Sequence, residues 1–206
     1  MIKNNFNDTN GFGEHKESAI IMFATLIDIL DKHNIEYFLI SGTLLGYQRH
    51  NDFIPWDDDI DIIVSEDFLN KKNLIFNELI DIHKEFKFHI QNPNYVYKFC
   101  FNNKIIPHKN NDYFWPFVDI FIYHTRDNTI NFFNKDWDIN EFFPAKKVLF
   151  NNINASVPKN PDYFLKKNYG ENYMTIYKSS NWDHKLEKPI KKKINITDKK
   201  YKNYFK

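Results

Sequence analysis

Residues 54–64 have the sequence IPWDDDIDIIV, in which four aspartates are followed at once by an apolar run. The run at 60–64 is rich in β-branched residues and predicts a buried strand. Because side chains two residues apart on a strand share a face, we expect Asp59 and Asp61 to project together. The stretch therefore predicts a strand that carries two neighbouring carboxylates into a core.

Two carboxylates held side by side repel each other unless a proton or a cation lies between them. Oxygen-only ligands favour a hard divalent ion such as Mg²⁺ or Mn²⁺, so we interpret Asp59 and Asp61 as metal ligands. The alternative is an acid-rich loop that faces solvent. That alternative suits Asp57 and Asp58, but it explains poorly a pair that leads into an apolar strand.

A third acid lies in the apolar run at 115–123, WPFVDIFIY, where Asp119 is the one charged residue. The pattern predicts a strand over 117–123, and a buried aspartate needs a compensating partner. If this strand lies beside the strand at 60–64, Asp119 points at the same ion. Alternatively, Asp119 forms a salt bridge with a core arginine or lysine.

The sequence at 39–46, LISGTLLG, indicates a strand that breaks into a glycine turn and then a helix. Backbone N–H groups at a helix N-terminus, together with the hydroxyls of Ser41 and Thr43, are suited to bind phosphate. Arg49 could add a bidentate phosphate contact. Glycine turns after strands are common, and Arg49 and His50 can also be interpreted as surface residues, which we favour for His50.

Together, the turn and the three acids indicate metal-assisted phosphoryl transfer, in which a cation neutralises phosphate oxygens and activates a hydroxyl. Lys98, Lys146 and Lys147 could supply further positive charge. Each of these lysines is nevertheless better interpreted, taken alone, as a surface residue.

The remaining patterns predict a mixed α/β domain. Helical spacing of apolar residues extends over 14–33, 43–50, 66–83 and 162–169, and further strands are expected at 37–40, 86–90 and 95–101, the last two as a hairpin. Phenylalanine, tyrosine and tryptophan number 21, 12 and 4, so we expect a core built from aromatics and isoleucine.

Composition excludes several classes of protein. The chain has 206 residues and a net charge of +1, which argues against a nucleic-acid binder. One cysteine, Cys100, excludes an internal disulfide framework and a multi-thiolate zinc site. The longest apolar run, at 19–30, is shorter than the roughly 20 residues of a membrane span. With no signal-peptide pattern at the N-terminus, we expect a soluble, cytoplasmic protein without a transmembrane segment.

The blocks SGTLLG at 41–46, Arg49-His50, and FIPWDDDIDI at 53–62 closely resemble the signature of the LicD family. That family includes bacterial phosphocholine transferases and the eukaryotic fukutin and fukutin-related proteins. Segments at 143–150, 157–158 and 163–170 resemble its C-terminal part, so the resemblance covers about 14–176.

The resemblance implies an α/β (α+β) nucleotidyltransferase-like fold of the polymerase-beta type, a small mixed sheet flanked by helices. It also implies transfer of a phospho-alcohol, such as phosphocholine or ribitol phosphate, from a CDP-linked donor to a glycan, with release of CMP. By motif, the catalytic residues and ligands of Mg²⁺ or Mn²⁺ are Asp59, Asp61 and Asp119. The residues expected near the donor phosphates are Ser41, Gly42, Thr43, Arg49 and Asp57.

Two other functions remain open. The same acids would serve a nucleotidyltransferase that moves NMP from an NTP to a sugar or protein, or the fold could be a non-catalytic nucleotide- or glycan-binding module. The chain lacks the cysteine-rich zinc insertion and the membrane anchor of the fukutin-related proteins, so their targeting and glycan specificity are not carried over.

We expect three parts in the chain: a flexible leader at 1–13, a LicD-like domain at 14–187 and a lysine-rich tail at 188–206. Eight of the last nineteen residues are lysines. We interpret the tail as solvated and partly disordered, with contact to a polyanion or an anionic membrane surface as the alternative.

Overall fold

The computed structural model describes residues 11–102, 112–178, 182–189 and 195–197. A 3₁₀ turn at Gly13–His15 precedes the first α-helix. The helices are α1 Lys16–Lys32, α2 Ser41–His50, α3 Asp67–Ile82, α4 Ile139–Phe142 and α5 Pro161–Tyr169. The strands are β1 Tyr37–Leu39, β2 Ile60–Ser65, β3 Phe86–Asn92, β4 Val96–Phe101, β5 Phe117–Arg126, β6 Thr129–Phe132, β7 Lys135–Asp138, β8 Lys146–Phe150, β9 Ile153–Val157, β10 Ile176–Lys178, β11 Trp182–Asp183, β12 Lys188–Pro189 and β13 Asn195–Thr197.

The central sheet is mixed, with strand order β1-β2-β5-β4-β3, and β6 and β7 extend it from the end of β5. Strands β2 and β5 run parallel, whereas β1 with β2, β4 with β5 and β3 with β4 are antiparallel. Helix α3 contacts β2 and β3, α1 contacts α3 and β5, and α2 contacts β2. The predicted mixed sheet with flanking helices is confirmed.

The apolar periodicities located most elements correctly. Helices α1, α3 and α5, the β3–β4 hairpin and the two acid-bearing strands all lie where the sequence predicts them. Helix α2 begins at Ser41, two residues earlier than expected. Within the described ranges, the helices are too short or too polar to cross a membrane.

The sequence did not predict the β8–β9 hairpin or strands β6 and β7. The hairpin turns at Asn151 and Asn152, which have φ values of 50° and 63°. Asparagine tolerates this left-handed backbone region, which two-residue hairpin turns require. The pattern was hard to recognise because most residues of β8 are exposed or partly exposed, so its strand lacks a clear alternation of buried and exposed positions.

The described end of the predicted leader is packed against the domain. Phe12 is buried, and its ring lies 5.1 Å from the ring of Phe53 and 6.3 Å from that of Trp115. The Phe12 ring is therefore part of the aromatic core of the domain. Residues 1–10 and most of the predicted tail lie outside the described residues, and the division into leader, domain and tail stays a prediction.

The core is aromatic, as composition indicates. Its largest fully buried side chains are Trp115, Trp137, Tyr37, Tyr97, Tyr123, Phe23, Phe38, Phe68, Phe99, Phe117, Phe142 and Phe150. Phe38 on β1 shows how they pack: its ring makes edge contacts with Phe142 and Phe143 at 5.4 and 5.2 Å, and lies 6.1 Å from Tyr123. This cluster joins the sheet to the segment around α4.

We expect Phe38→Ala to lower the free energy of unfolding by about 3–5 kcal/mol, because it leaves a cavity among these rings. Leu149→Ala is the control, since Leu149 is 66% exposed and should change stability by less than about 0.5 kcal/mol. Urea denaturation followed by tryptophan fluorescence measures both. Similar losses in the two variants would contradict the assignment of Phe38 to the core.

Candidate metal centre

Three carboxylates converge at the parallel strand pair. Asp61 on β2 and Asp119 on β5 are direct neighbours in the register, and Asp59 lies immediately before β2. One oxygen from each carboxylate lies within 4.8 Å of the others. Asp59 and Asp119 are 7% and 5% exposed, and Asp61 is partly buried. The predicted convergence is therefore confirmed, while the role of the three acids as metal ligands stays a prediction.

Lys98 on β4 lies on the other side of Asp119, its direct neighbour in the antiparallel pair. Its Nζ donates to Asp119 Oδ1 at 2.6 Å and lies 3.7 Å from the centroid of the Phe117 ring. The side chain is buried, so the interpretation of Lys98 as a surface residue is wrong. The ion-pair alternative for Asp119 is therefore confirmed, and its role as a metal ligand stays a prediction.

The environment of the cluster disfavours negative charge. Burial raises the pKa of Asp59 and of Asp119 to about 6, although the nearby Lys98 ammonium lowers both. Burial, reinforced by Asp59 and Asp119, raises the pKa of Asp61 well above its ordinary value. Three acids in one weakly solvated place need positive charge to be ionised together, and one lysine supplies only part of it. A divalent cation would supply the remainder.

The other two candidate lysines lie outside the cluster. Lys146 and Lys147 are exposed on β8, which confirms their interpretation as surface residues. Lys147 donates to the Asp31 carboxylate at 2.7 Å and to the Tyr37 hydroxyl at 3.0 Å. These contacts join β8 to α1 and β1, and neither involves the cluster of Asp59, Asp61 and Asp119.

The predicted phosphate-binding turn forms the start of α2. Thr43 is 1% exposed, and its hydroxyl oxygen accepts the Asp61 N–H at 2.8 Å, which ties the first turn of α2 to β2. At Gly42, an added Cβ would lie 2.2 Å from Asp57 Oδ2, so only glycine lets the carboxylate approach this closely. Ser41 is partly exposed and has a φ of 49°. The turn therefore adjoins the acids, as the sequence predicts.

Asp57 and Arg49 interact electrostatically near the acidic cluster. Burial, with Asp59 and Asp58 reinforcing it, raises the pKa of Asp57 well above its ordinary value, and the Arg49 guanidinium opposes this shift. Arg49 Nη1 donates to the Tyr173 carbonyl at 3.0 Å. His50 is partly buried rather than fully on the surface, and burial followed by the charge of Arg49 lowers its pKa to about 4.

The segment that sequence reasoning missed is the small β11–β12 hairpin, residues 182–189. His184 Nε2 lies 3.2 Å from Asp59 Oδ2, and Asp58 Oδ2 accepts the backbone N–H groups of His184 and Lys185 at 3.0 and 3.2 Å. Asp58, interpreted from sequence as a loop residue facing solvent, is 3% exposed, and burial raises its pKa to about 7 despite the nearby His184. The sequence carries no spacing that links position 184 to the acids.

A mixed sheet whose parallel pair carries paired acids beside a glycine turn defines a nucleotidyltransferase-type domain. Residues 34–160 match the family model described as "LicD/FKTN/FKRP, nucleotidyltransferase domain". The chain belongs to this family, which confirms the resemblance drawn from the sequence.

Three curated relatives illustrate the relationship. An uncharacterized protein of Rickettsia typhi is 36% identical over 156 residues, which is 73% of this chain and 45% of that protein. Ribitol 5-phosphate transferase FKRP of Mus musculus is 29% identical over 152 residues, 70% of this chain and 30% of the relative. Lipopolysaccharide cholinephosphotransferase LicD of Haemophilus influenzae is 49% identical over 39 residues, 19% of this chain and 15% of the relative. The chain thus spans about half the length, or less, of the relatives it matches.

Lys98→Met should lower the free energy of unfolding by about 3 kcal/mol in EDTA, because it leaves Asp119 buried without its ion-pair partner. The double variant Lys98→Met/Asp119→Asn should recover much of the loss, since it removes both charges. Lys135→Met, at an exposed position on β7, is the control and should be close to wild type. Urea denaturation at pH 7 provides the comparison, and a Lys98→Met variant as stable as the control would contradict the buried pair.

Proposed function

We propose that this domain is a metal-dependent phosphotransferase. It moves a phospho-alcohol, such as phosphocholine or ribitol phosphate, from a CDP-linked donor to a hydroxyl of a glycan or similar acceptor and releases CMP. The observation that carries the proposal is the convergence of Asp59, Asp61 and Asp119. Support comes from the family match and from relatives whose names describe cholinephosphate and ribitol 5-phosphate transfer.

The donor atoms of the cluster fit a hard divalent cation. Asp59, Asp61 and Asp119 offer carboxylate oxygens alone, which suit Mg²⁺ or Mn²⁺. When bound, such an ion would neutralise phosphate oxygens and lower the pKa of an attacking hydroxyl. Burial raises the pKa values of the three acids against the effect of Lys98, and a bound cation would lower them further.

Lys98 influences the protonation state that Asp119 would need in this reaction. Lys98 lowers the pKa of Asp119 against the effect of burial, so it favours the ionised carboxylate. Asp119 can then act as ligand and accept the proton of the acceptor hydroxyl. As the acceptor oxygen forms its bond to the phosphorus that carries the alcohol, the bond from that phosphorus to the CMP phosphate oxygen breaks.

The start of α2 completes the proposed site. Ser41, Gly42 and Thr43 lie beside Asp57 and the first residues of β2, where a helix N-terminus favours bound phosphate. The Thr43 hydroxyl accepts the Asp61 N–H, so the turn and the acids are held in one arrangement. Arg49, on the last turn of α2, already donates through Nη1 to the Tyr173 carbonyl, so a phosphate would have to share its guanidinium with that contact.

Asp61→Asn and Asp59→Asn should each lower turnover by more than about 100-fold, because each removes a direct ligand, and loss of an outer-shell partner alone costs 10–100-fold. Neither variant should lose stability in EDTA, since each removes repulsion from a crowded cluster. Asp81→Asn, at an exposed position of α3, is the matched control. The assay follows CMP release from CDP-choline and CDP-ribitol with Mg²⁺ or Mn²⁺ and a panel of hydroxylated acceptors.

The product decides between the candidate functions. CMP release that depends on Asp61 supports phosphotransfer. Release of pyrophosphate from an NTP, again dependent on Asp61, would replace it with nucleotidyl transfer. Donor binding without turnover for any acceptor would indicate a binding module, and near-wild-type turnover in Asp61→Asn would remove the proposed mechanism.

A further inference from the structure

A second group of ligand-type side chains adjoins the three-acid cluster and has a different composition. Asp58 and Asp59 precede β2, and His184 lies in the turn between β11 and β12, more than 120 residues later in the chain. One ligand atom from each of these residues lies within 4.8 Å of the others. The group combines a ring nitrogen with carboxylate oxygens and shares Asp59 with the first cluster.

The position of His184 is set by contacts other than its own approach to Asp59. Asp58 Oδ2 accepts the N–H groups of His184 and Lys185, which anchors the turn by its backbone. The His184 ring also makes an edge contact with the Phe117 ring at 5.7 Å between centroids. Asp183 Oδ1 accepts the Leu186 N–H at 2.8 Å and closes the turn from within. These backbone and ring contacts hold the imidazole beside Asp59.

Asp58 itself provides the observation that points to a ligand. It is 3% exposed, and its main-chain oxygen accepts the Trp115 Nε1–H at 2.6 Å. Its Oδ2 has the two amide donors, but its Oδ1 is buried and has no hydrogen-bond partner in the part of the chain that the structure describes. Buried carboxylate oxygens are normally hydrogen-bonded or bound to a cation, so the unpaired Oδ1 indicates room for a ligand.

The distance between His184 and Asp59 is compatible with a shared ion. Metal–nitrogen and metal–oxygen bonds of about 2.0–2.2 Å place neighbouring ligand atoms roughly 3.0–3.5 Å apart, and His184 Nε2 lies 3.2 Å from Asp59 Oδ2. A hydrogen bond also fits this distance. However, a hydrogen bond between His184 and Asp59 leaves Asp58 Oδ1 buried without a partner, whereas a cation held by all three side chains would also compensate the buried Asp58 carboxylate.

We propose that Asp58, Asp59 and His184 form a second cation site, next to the three-acid cluster and joined to it through Asp59. The imidazole of this group suits Zn²⁺ and its two carboxylates also suit Mn²⁺, whereas the oxygen-only cluster suits Mg²⁺ or Mn²⁺. Three protein ligands leave coordination positions for water or for an oxygen of a bound phosphate. The site goes beyond the proposed transfer reaction, and its existence does not depend on turnover.

The test counts bound ions in the whole chain by equilibrium dialysis against Mn²⁺, followed by metal analysis. Wild type should bind two Mn²⁺ per chain, and His184→Ala should bind one. His124→Ala is the matched control, because His124 lies on β5 beside Glu66, away from the acids, and should bind two. Asp58→Asn is the second variant, since asparagine keeps an acceptor for the two backbone amides, and it should also bind one.

The variant Asp61→Asn distinguishes the ions bound at the two clusters, because it changes a ligand of the three-acid cluster only. This variant should retain one Mn²⁺ that is lost on adding His184→Ala. The proposal is overturned if wild type binds one ion that His184→Ala and Asp58→Asn leave unchanged, because His184 is then a hydrogen-bond partner of Asp59 and nothing more. A folded His184→Ala that still binds two ions overturns it equally. Failure of CMP release with two ions bound would instead count against the transfer reaction.

Discussion

The parallel pairing of β2 with β5 is the constraint on which the rest of the site depends. Its register places Asp61 and Asp119 side by side in the middle of the sheet, where little water can solvate their charges. Like charges in such a place raise one another's pKa values. Ionising the carboxylates is therefore unfavourable unless neighbouring groups supply positive charge or hydrogen bonds. The same register thus brings the carboxylates together and creates an excess of buried negative charge, which the proposed cation would balance.

The surroundings of the acids supply part of that compensation from three directions. Strand β4 brings Lys98 against Asp119, which gives one buried ion pair. The start of α2 is tied to β2 through Thr43, and the Asp57 carboxylate lies against its backbone at Gly42, where the helix dipole favours negative charge. The β11–β12 hairpin adds the backbone amides that bind Asp58. With the two proposed cations, every carboxylate from Asp57 to Asp61 and Asp119 would have a partner.

Sequence patterns predicted the acids and missed the groups that balance them, for a physical reason. Asp61 and Asp119 each interrupt an apolar run, and a charged residue in a buried strand can be recognised from sequence because it breaks the apolar pattern. Lys98 also lies among apolar residues, but a lysine can extend to solvent, so its burial depends on Asp119 lying on the neighbouring strand. His184 reaches Asp59 through a hairpin docked onto the sheet, and no local periodicity encodes such a contact. Local patterns thus predicted the elements, while tertiary packing assembled the site.

The proposed function requires that Asp59 and Asp61 from the β2 segment and Asp119 from β5 hold one divalent ion. The most direct measurement is the anomalous difference map of a crystal soaked with MnCl₂ and recorded at the manganese absorption edge. We predict a strong peak within roughly 2.0–2.3 Å of one oxygen from each of Asp59, Asp61 and Asp119. Manganese bound elsewhere in a well-ordered crystal, with no anomalous density among these three carboxylates, would contradict the account.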